Sequence, residues 1–494
     1  MNFRLLAKVL GLLLTLESVA MVACGVFANF DPNDELGVAV LPLMIAGGIT
    51  FLAGIVLIII GWGKFERIPR REGVMIVGLG WVLSGVFGAI PFVMAEPGLP
   101  PSAALFESVS GFTTTGSTVI ADLEQWPDGI LLWRSVTQWL GGLGILVLFV
   151  AILSAMGGGA KSLFRNESSF QPGEAATARI RDTALSLWKV YLFLTVCCLL
   201  GLRGLGMSWF DAVTHSFTTV ATGGFSPHNE SIGYFSGWET GLWIEIWLEL
   251  FMLLGSTSFL IYVVIVRRDW ERLKRQEEVR WYLLLALVGC LGVWAVGVWG
   301  GGHAVGQTLR GAVFTTISMI STSGFVTADY ELWPVGTHFI LLAMMLIGGC
   351  AGSTSGGMKV SRLILLLRAA SQEIVKAFRP NQILRMQVNG NAIDDTARAQ
   401  TVLFVALFSL MAMASMVVVA IIETAHGVDF ESTIAIVLAT FGNVGPGFGD
   451  VGPTDTFAEL RPVTHLFLSL LMVLGRLELY AVLVLFVPAV WKKY

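Results

Sequence analysis

The sequence predicts an all-α membrane protein in which ten transmembrane helices carry four re-entrant pore helices. Three observations predict it. The 494 residues are 55% hydrophobic and 13% charged, with mean hydropathy +0.75, whereas a soluble domain carries roughly 25% charge. Ten apolar stretches are each long enough to cross a bilayer, which takes about 20 residues. Between some of them lie four shorter apolar pieces, each followed by a Gly-containing polar stretch and another span.

The long stretches fall near 5–28, 37–62, 73–95, 131–155, 183–203, 240–266, 281–299, 337–368, 400–423 and 464–490. Arg4 and Lys8 precede the first, as in a secretory signal. That run continues past Val26 without a small-residue cleavage site, so it reads as a retained first helix. The short pieces lie near 102–113, 209–220, 308–321 and 430–441, a length that fits re-entrant segments. The repeats divide the chain into an N-terminal helix pair, 1–68, and four units at 69–165, 166–275, 276–385 and 386–494.

Charge sets the orientation. Most of the 31 basic residues fall in six groups: Arg4 and Lys8; 64–71; Lys161, Arg165, Arg179 and Arg181; 267–280; 359–398; Lys492 and Lys493. With ten spans all six lie on one side, which the positive-inside rule makes cytoplasmic. Both termini are then inside, and the short segments dip in from outside. The outer loops are acid-rich at 30–35, 121–128, 328–331 and Asp450 with Asp455. Such loops raise the local cation concentration at a pore mouth, or they are plain solvated loops. Cys24, Cys197, Cys198, Cys290 and Cys350 lie in apolar stretches without CxxC spacing and read as small buried hydrophobes.

The four units resemble one another. FTTTGSTVIADLEQWPDG (112–129) and ISTSGFVTADYELWPVG (320–336) share Ala-Asp-x-Glu-x-Trp-Pro-x-Gly, with a Gly-Gly pair 15 residues after each Trp. TTVATGGFS (218–226) and ATFGNVGPGFG (439–449) stand in the other two units. The alignment takes Gly116, Gly223, Gly324 and Gly445 as equivalent.

Non-helical backbone within a membrane survives only where it is buried in protein or lines a wet cavity. Thr, Ser and Gly there contribute carbonyl oxygens without charge or bulk, and four such loops can replace the hydration shell of a monovalent cation. The preceding short helices would aim their carbonyl ends at it. The expected filter is Thr114, Thr115, Gly116 and Ser117; Ala221, Thr222, Gly223 and Gly224; Thr322, Ser323, Gly324 and Phe325; Asn443, Val444, Gly445 and Pro446. K⁺ would be held at Thr115, Gly116, Thr222, Gly223, Ser323, Gly324, Val444 and Gly445.

GGCAGSTSGGMK (348–359) breaks the eighth span, since five glycines and three small hydroxyls in twelve residues make a poor helix. Gly349, Cys350, Ala351, Gly352, Ser353, Thr354, Ser355, Gly356, Gly357 and Lys359 then form either a loop obstructing the path below the filter or a kink for close packing. Arg476 lies within the last span, where an Arg is costly and usually functional. It faces the pore or that loop, or pairs with another helix. Lys189 snorkels and receives no role. Glu245, Glu249 and Glu423 sit in or near spans, where ion or proton coupling through one of them stays open.

FTTTGST, TTVATGGFS, NVGPGFG and GGCAGSTSGGMKVSR together resemble the Trk/Ktr/HKT superfamily of potassium transporters, most closely its bacterial TrkH branch. The resemblance covers nearly the whole chain, and the two extra N-terminal spans fit that branch. It implies four membrane-pore-membrane units around a pseudo-fourfold axis in the bacterial cytoplasmic membrane. Filter glycines at all four positions imply K⁺ as substrate, with Rb⁺ accepted and Na⁺ less so. It also implies gating by the loop and Arg476, a homodimer, and a cytosolic nucleotide-binding ring of TrkA type. The basic loops 267–280 and 359–398 offer that ring a face, or simply follow the positive-inside bias. No cofactor, nucleic acid or enzyme chemistry is expected: HExxH, Gly-x-Ser-x-Gly and paired Cys/His ligands are missing from the sequence. A coupled solute transporter would show inverted repeats, not four of one orientation. A passive channel and an ion-coupled symporter remain alternatives.

Overall fold

The computed structural model describes residues 2–30, 38–63, 70–142, 144, 180–301, 305–380, 387–388, 391–477 and 479–491. These are predominantly helical; a two-residue ladder, Gln387–Val388 against Asn391–Ala392, is the only sheet among the described residues. In chain order the main helices are α1 (Phe3–Phe30), α2 (Val40–Ile60), α3 (Arg70–Gly88), α4 (Pro101–Phe112), α5 (Asp128–Gly142), α6 (Ile180–Gly204), α7 (Trp209–Val220) and α8 (Gly241–Gly255). They continue with α9 (Phe259–Val266), α10 (Glu277–Gly301), α11 (Val305–Ile320), α12 (Val335–Ile347), α13 (Val360–Phe378), α14 (Asp395–Glu423), α15 (Phe430–Phe441) and α16 (Pro462–Arg476).

Among the described residues six apolar helices are long enough to cross a membrane: Phe3–Phe30, Val40–Ile60, Arg71–Met94, Ala184–Gly204, Glu277–Gly300 and Asp395–His426. The other four expected spans differ from the sequence reading in one way. Each of their helices stops after 13 to 15 residues, at Gly142, Gly255, Ile347 and Arg476. The stretch 240–266 is not one straight span, because α8 and α9 meet at 89°. The stretch 337–368 divides into α12 and α13 around the glycine-rich loop. Among the described residues after Arg476 only helices of three or four residues follow, and 145–155 lies outside the described residues. A glycine lies at or next to each of these ends. At Gly141, Gly255 and Gly475 a side chain would overlap or crowd the carbonyl of Phe112, Val220 or Phe441, the last residues of α4, α7 and α15.

Those short helices begin on local signals. Pro101 opens α4, where a missing N–H costs nothing. Ser208 caps α7 by accepting from the Asp211 N–H at 2.9 Å, and Asp429 caps α15 by accepting from Ser432 at 2.7 Å. None carries a basic residue in its last turn, so their negative ends stay uncompensated by side-chain charge.

Helices α1 and α2 pack through small residues: Gly11, Ser18 and Gly25 on one side, Gly47, Gly54 and Gly61 on the other. Both sets recur every seven residues, so one seam faces the partner along its length. A Cβ on Gly54 would lie 2.8 Å from the Gly11 carbonyl oxygen. We expect Gly54→Val to cost about 1–3 kcal/mol by overpacking, read as a lowered midpoint of thermal unfolding in detergent.

Candidate functional site

Four loops leave the C-termini of α4, α7, α11 and α15 with one backbone course. In each, an N–H reaches back five residues to a helix carbonyl: Thr115 to Ser110 (2.9 Å), Gly223 to Thr218 (2.8 Å), Ser323 to Ser318 (2.9 Å) and Val444 to Ala439 (2.9 Å). The preceding residue is left-handed although it is not glycine: Thr114, Thr222, Thr322 and Asn443 have φ of 54°, 53°, 57° and 53°. An L-residue there costs on the order of 1 kcal/mol or more. The glycine that follows each donor is also left-handed: Gly116, Gly224, Gly324 and Gly445, with φ of 85°, 78°, 72° and 107°.

The four glycines close a ring. A side chain on Gly116 would overlap the Gly223 carbonyl oxygen, one on Gly224 that of Ser323, and one on Gly324 that of Val444. One on Gly445 would crowd the Thr115 carbonyl oxygen at 2.8 Å. Each glycine thus abuts the next loop, and the fourth returns to the first.

This corrects the sequence alignment in one loop. The second ring glycine is Gly224, not Gly223, and Gly223 stands level with Thr115, Ser323 and Val444. Ala221 leaves the set because it caps α7, and Phe225 enters level with Ser117, Phe325 and Pro446. Two consecutive glycines made the register ambiguous; the backbone hydrogen bond from Gly223 to Thr218 resolves it.

On one face of the ring lies a cavity of about 120 Å³ lined by Gly116, Gly224, Gly324 and Gly445, with His228, Asn229 and Asp455 on its walls. Its rim closes from loop to loop. Arg134 Nη1 donates to the Ser226 carbonyl (2.8 Å), the Gly233 N–H to Val326 (3.1 Å), Tyr330 Oη to Gly447 (2.8 Å), and the Phe457 N–H to Thr118 (2.8 Å). Carboxylates stand around it. The Asn229 and Gln125 amides hold Asp122 below the usual carboxylate range, while desolvation, with Asp329 and Asp455 nearby, pushes Glu331 up.

Side chains both outside and inside the expected set steady this ring. Gln138, fully buried, donates to the Gly223 carbonyl (2.7 Å) and accepts from the Phe225 N–H (3.1 Å), straddling Gly224. Ser117 Oγ donates to the Gly445 carbonyl at 3.0 Å, and Asn443 Nδ2 to Thr115 Oγ1 at 2.8 Å. Arg134 pairs with buried Glu107 at 2.6 Å and lies over the Phe225 ring. A Gln or an Arg–Glu pair within apolar helices was the available sequence signal.

On the helix-end side the glycine-rich loop presses against the ring. Thr354 Oγ1 donates within reach of the Val220 and Gly255 carbonyls (3.1 and 2.9 Å) and accepts from Thr222 Oγ1 (3.2 Å). The Gly356 N–H donates to Thr322 Oγ1 at 2.8 Å. Within the loop, Ser355 Oγ accepts from Gly349, Ser353 Oγ donates to the Cys350 carbonyl, and Gly352 and Gly357 are left-handed. Lys359, itself left-handed at 72°, donates to the Ser355 carbonyl. Arg476 reaches across, donating to the Thr354 carbonyl and to Gly141 and Gly142 (2.9 and 2.6 Å). Thr114 Oγ1 and Asn443 Oδ1 are buried here without a protein partner.

The acidic residues singled out in the spans do not all converge on this path. Glu245 pairs with Arg310 (2.5 Å), and Glu423 accepts from the Arg461 N–H (3.0 Å) and from Thr464. Lys189 is exposed. Chemically, the ring is a dense set of backbone oxygens without a charged side chain in its wall, suited to a cation that sheds water but not to acid–base work. Gly224→Ala should lower the unfolding midpoint of the purified protein more than Gly223→Ala. The former forces a left-handed alanine into the Ser323 backbone, while the latter meets the Gln138 side chain.

The profile of the TrkH family, described as cation transport protein, matches residues 51–493. The chain is 37% identical over 505 residues to the Trk system potassium uptake protein TrkH of Halomonas elongata, covering 100% of both. To the protein of that name from Escherichia coli K12 it is 36% identical over 506 residues, again covering 100% of both. It superposes on the crystal structure of the potassium transporter TrkH from Vibrio parahaemolyticus with TM-score 0.86 and 31% identity over the whole of both chains. With that agreement along its full length, the chain belongs to the TrkH family of cation transport proteins.

Proposed function

We propose that this chain is the membrane pore of a potassium uptake system. The observation that carries the reading is the closed ring of Gly116, Gly224, Gly324 and Gly445, in a chain whose full-length relatives are named potassium uptake proteins. Potassium is the substrate and no cofactor takes part.

In this reading ten helices cross the bacterial cytoplasmic membrane with both termini inside, and α4, α7, α11 and α15 enter from outside as pore helices. Four membrane-pore-membrane units, at 69–165, 166–275, 276–385 and 386–494, surround the ion behind the N-terminal pair. K⁺ loses its water to carbonyl oxygens of Thr115 and Gly116, Gly223 and Gly224, Ser323 and Gly324, and Val444 and Gly445. The acidic rim gathers cations, and the four helix ends favour positive charge at the ring. Because the supports of the loops differ, Na⁺ is excluded less strictly than by four identical loops. The loop 348–359 and Arg476 obstruct the path inside the ring. The family resemblance supports two copies per assembly and a TrkA-type ring seated on the basic loops 267–280 and 359–398. The engagement of Glu245 and Glu423 in struts favours a channel-like route over coupling through those carboxylates.

Uptake of radiolabelled Rb⁺ into liposomes holding the purified chain should be blocked by K⁺ and much less by Na⁺. Equal block by the two ions would contradict a selective ring. Arg476→Ala should raise conductance or alter gating in bilayer recordings, since it frees the loop from Gly141 and Gly142. Recordings that match the unmodified protein would remove Arg476 from the path.

A further inference from the structure

The obstructing loop is tied down at both ends by one carboxylate that no sequence motif marks. Glu278, in the first turn of α10 and 5% exposed, accepts at Oε1 from the Ala351 N–H (2.7 Å) and the Ser361 N–H (3.1 Å). Ala351 lies where the chain leaves α12, and Ser361 in the first turn of α13. Both N–H groups lack a helical partner, and burying them unbonded would be costly. A charged acceptor makes the stronger kind of bond to each. Next to it Glu277 accepts from Arg368 Nη2 at 2.6 Å, so the first turn of α10 also grips α13. The loop's other end-anchors are backbone contacts: Cys350 N–H to Ser256 and Phe259 N–H to Gly352 (2.9 and 3.0 Å) at the break between α8 and α9, Val360 N–H to Gly349 (3.0 Å) between its own ends, and Met358 N–H to Leu346 in α12 (3.2 Å).

We propose that Glu278 is a positioning residue of the gate, the latch that holds the loop 348–359 across the ion path. It touches no ion; it fixes the two ends between which Thr354 and Gly356 are pressed on the ring. The inference rests on reading that loop as an obstruction, and the test separates the two.

The full chain is placed in liposomes as the unmodified protein, Glu278→Ala, Glu278→Gln and a variant shortened within 350–357. Radiolabelled Rb⁺ uptake without any regulatory subunit is the first readout. Glu278→Ala should leak about tenfold more than the unmodified protein, the scale of losing a charge-assisted hydrogen bond. Glu278→Gln keeps an acceptor oxygen of the same shape but not the charge, and should leak less than Glu278→Ala. The second readout is loop position. With Cys24, Cys197, Cys198 and Cys290 replaced by alanine, buried Cys350 should react with a membrane-impermeant thiol reagent faster in Glu278→Ala. If the shortened loop leaks while Glu278→Ala matches the unmodified protein in uptake and labelling, the latch is wrong and the gate stands. If the shortened loop does not leak, the gate falls and the latch with it. Should Glu278→Ala not fold, Glu278→Asp is read in its place. Its shorter reach cannot hold both N–H groups, so leak at the unmodified level would overturn the inference.

Discussion

Four backbones meet at Gly116, Gly224, Gly324 and Gly445 with no room for a side chain between them, and much of the architecture follows from that contact. To bring a chain so close, each loop must turn through a left-handed residue directly before the ring. That turn ends the preceding helix four residues ahead of the glycine, at Phe112, Val220, Ile320 and Phe441. The helices therefore present carbonyl ends to the ring. The helices that follow are constrained in turn: α5, α8 and α16 carry a glycine against those ends, and their courses stop or bend at that level.

Equal backbones are held by unequal side chains. Gln138 straddles the second loop, Ser117 and Asn443 bridge the first and fourth, and Arg134 with Glu107 links the first to the second. All the charges stand outside the ring. An ionised group in its wall would bind a cation too tightly to release it or would repel it, whereas carbonyl dipoles bind strongly enough for entry and weakly enough for exit. The buried Glu107–Arg134 pair satisfies its own charge; Arg134 reaches the second loop through Phe225 and the Ser226 carbonyl, and Glu107 accepts from Thr118 Oγ1 and the Val119 N–H of the first.

Most of the fold was legible because it rests on run length and punctuation. The expected short helices at 102–113, 209–220 and 430–441 differ from those observed by at most one residue at either end, and the six long unbroken helices lie on six expected spans. What the sequence did not disclose depends on contacts between distant segments. Gly223 and Gly224 are interchangeable in any pattern, and only the Gly223–Thr218 bond and the approach of Ser323 distinguish them. The bend at Gly255 is hidden because hydropathy continues unbroken through 240–266. Gln138 and Glu278 act on backbone groups 85 and 73 residues away in sequence, and partners that distant leave no local signature.

The contact between loop and ring limits how the two can behave. Thr222 and Thr322 occupy equivalent left-handed positions in neighbouring loops, and their hydroxyls bond Thr354 and the Gly356 N–H. The corresponding oxygens of Thr114 and Asn443 have no protein partner. The loop therefore hydrogen-bonds two of four equivalent positions, and at a third its Gly356 packs against the Asn443 side chain without such a bond. Moving it away breaks the bonds at Thr222 and Thr322; Thr222 Oγ1 keeps the Ala221 carbonyl (2.7 Å), while Thr322 Oγ1 loses the Gly356 N–H. A buried oxygen deprived of its partner seeks another, and in this layer the candidates are water and a cation. On the reading of this loop as a gate, displacing it does more than clear space: it changes which oxygens the inner face of the ring presents, which would couple obstruction to ion binding.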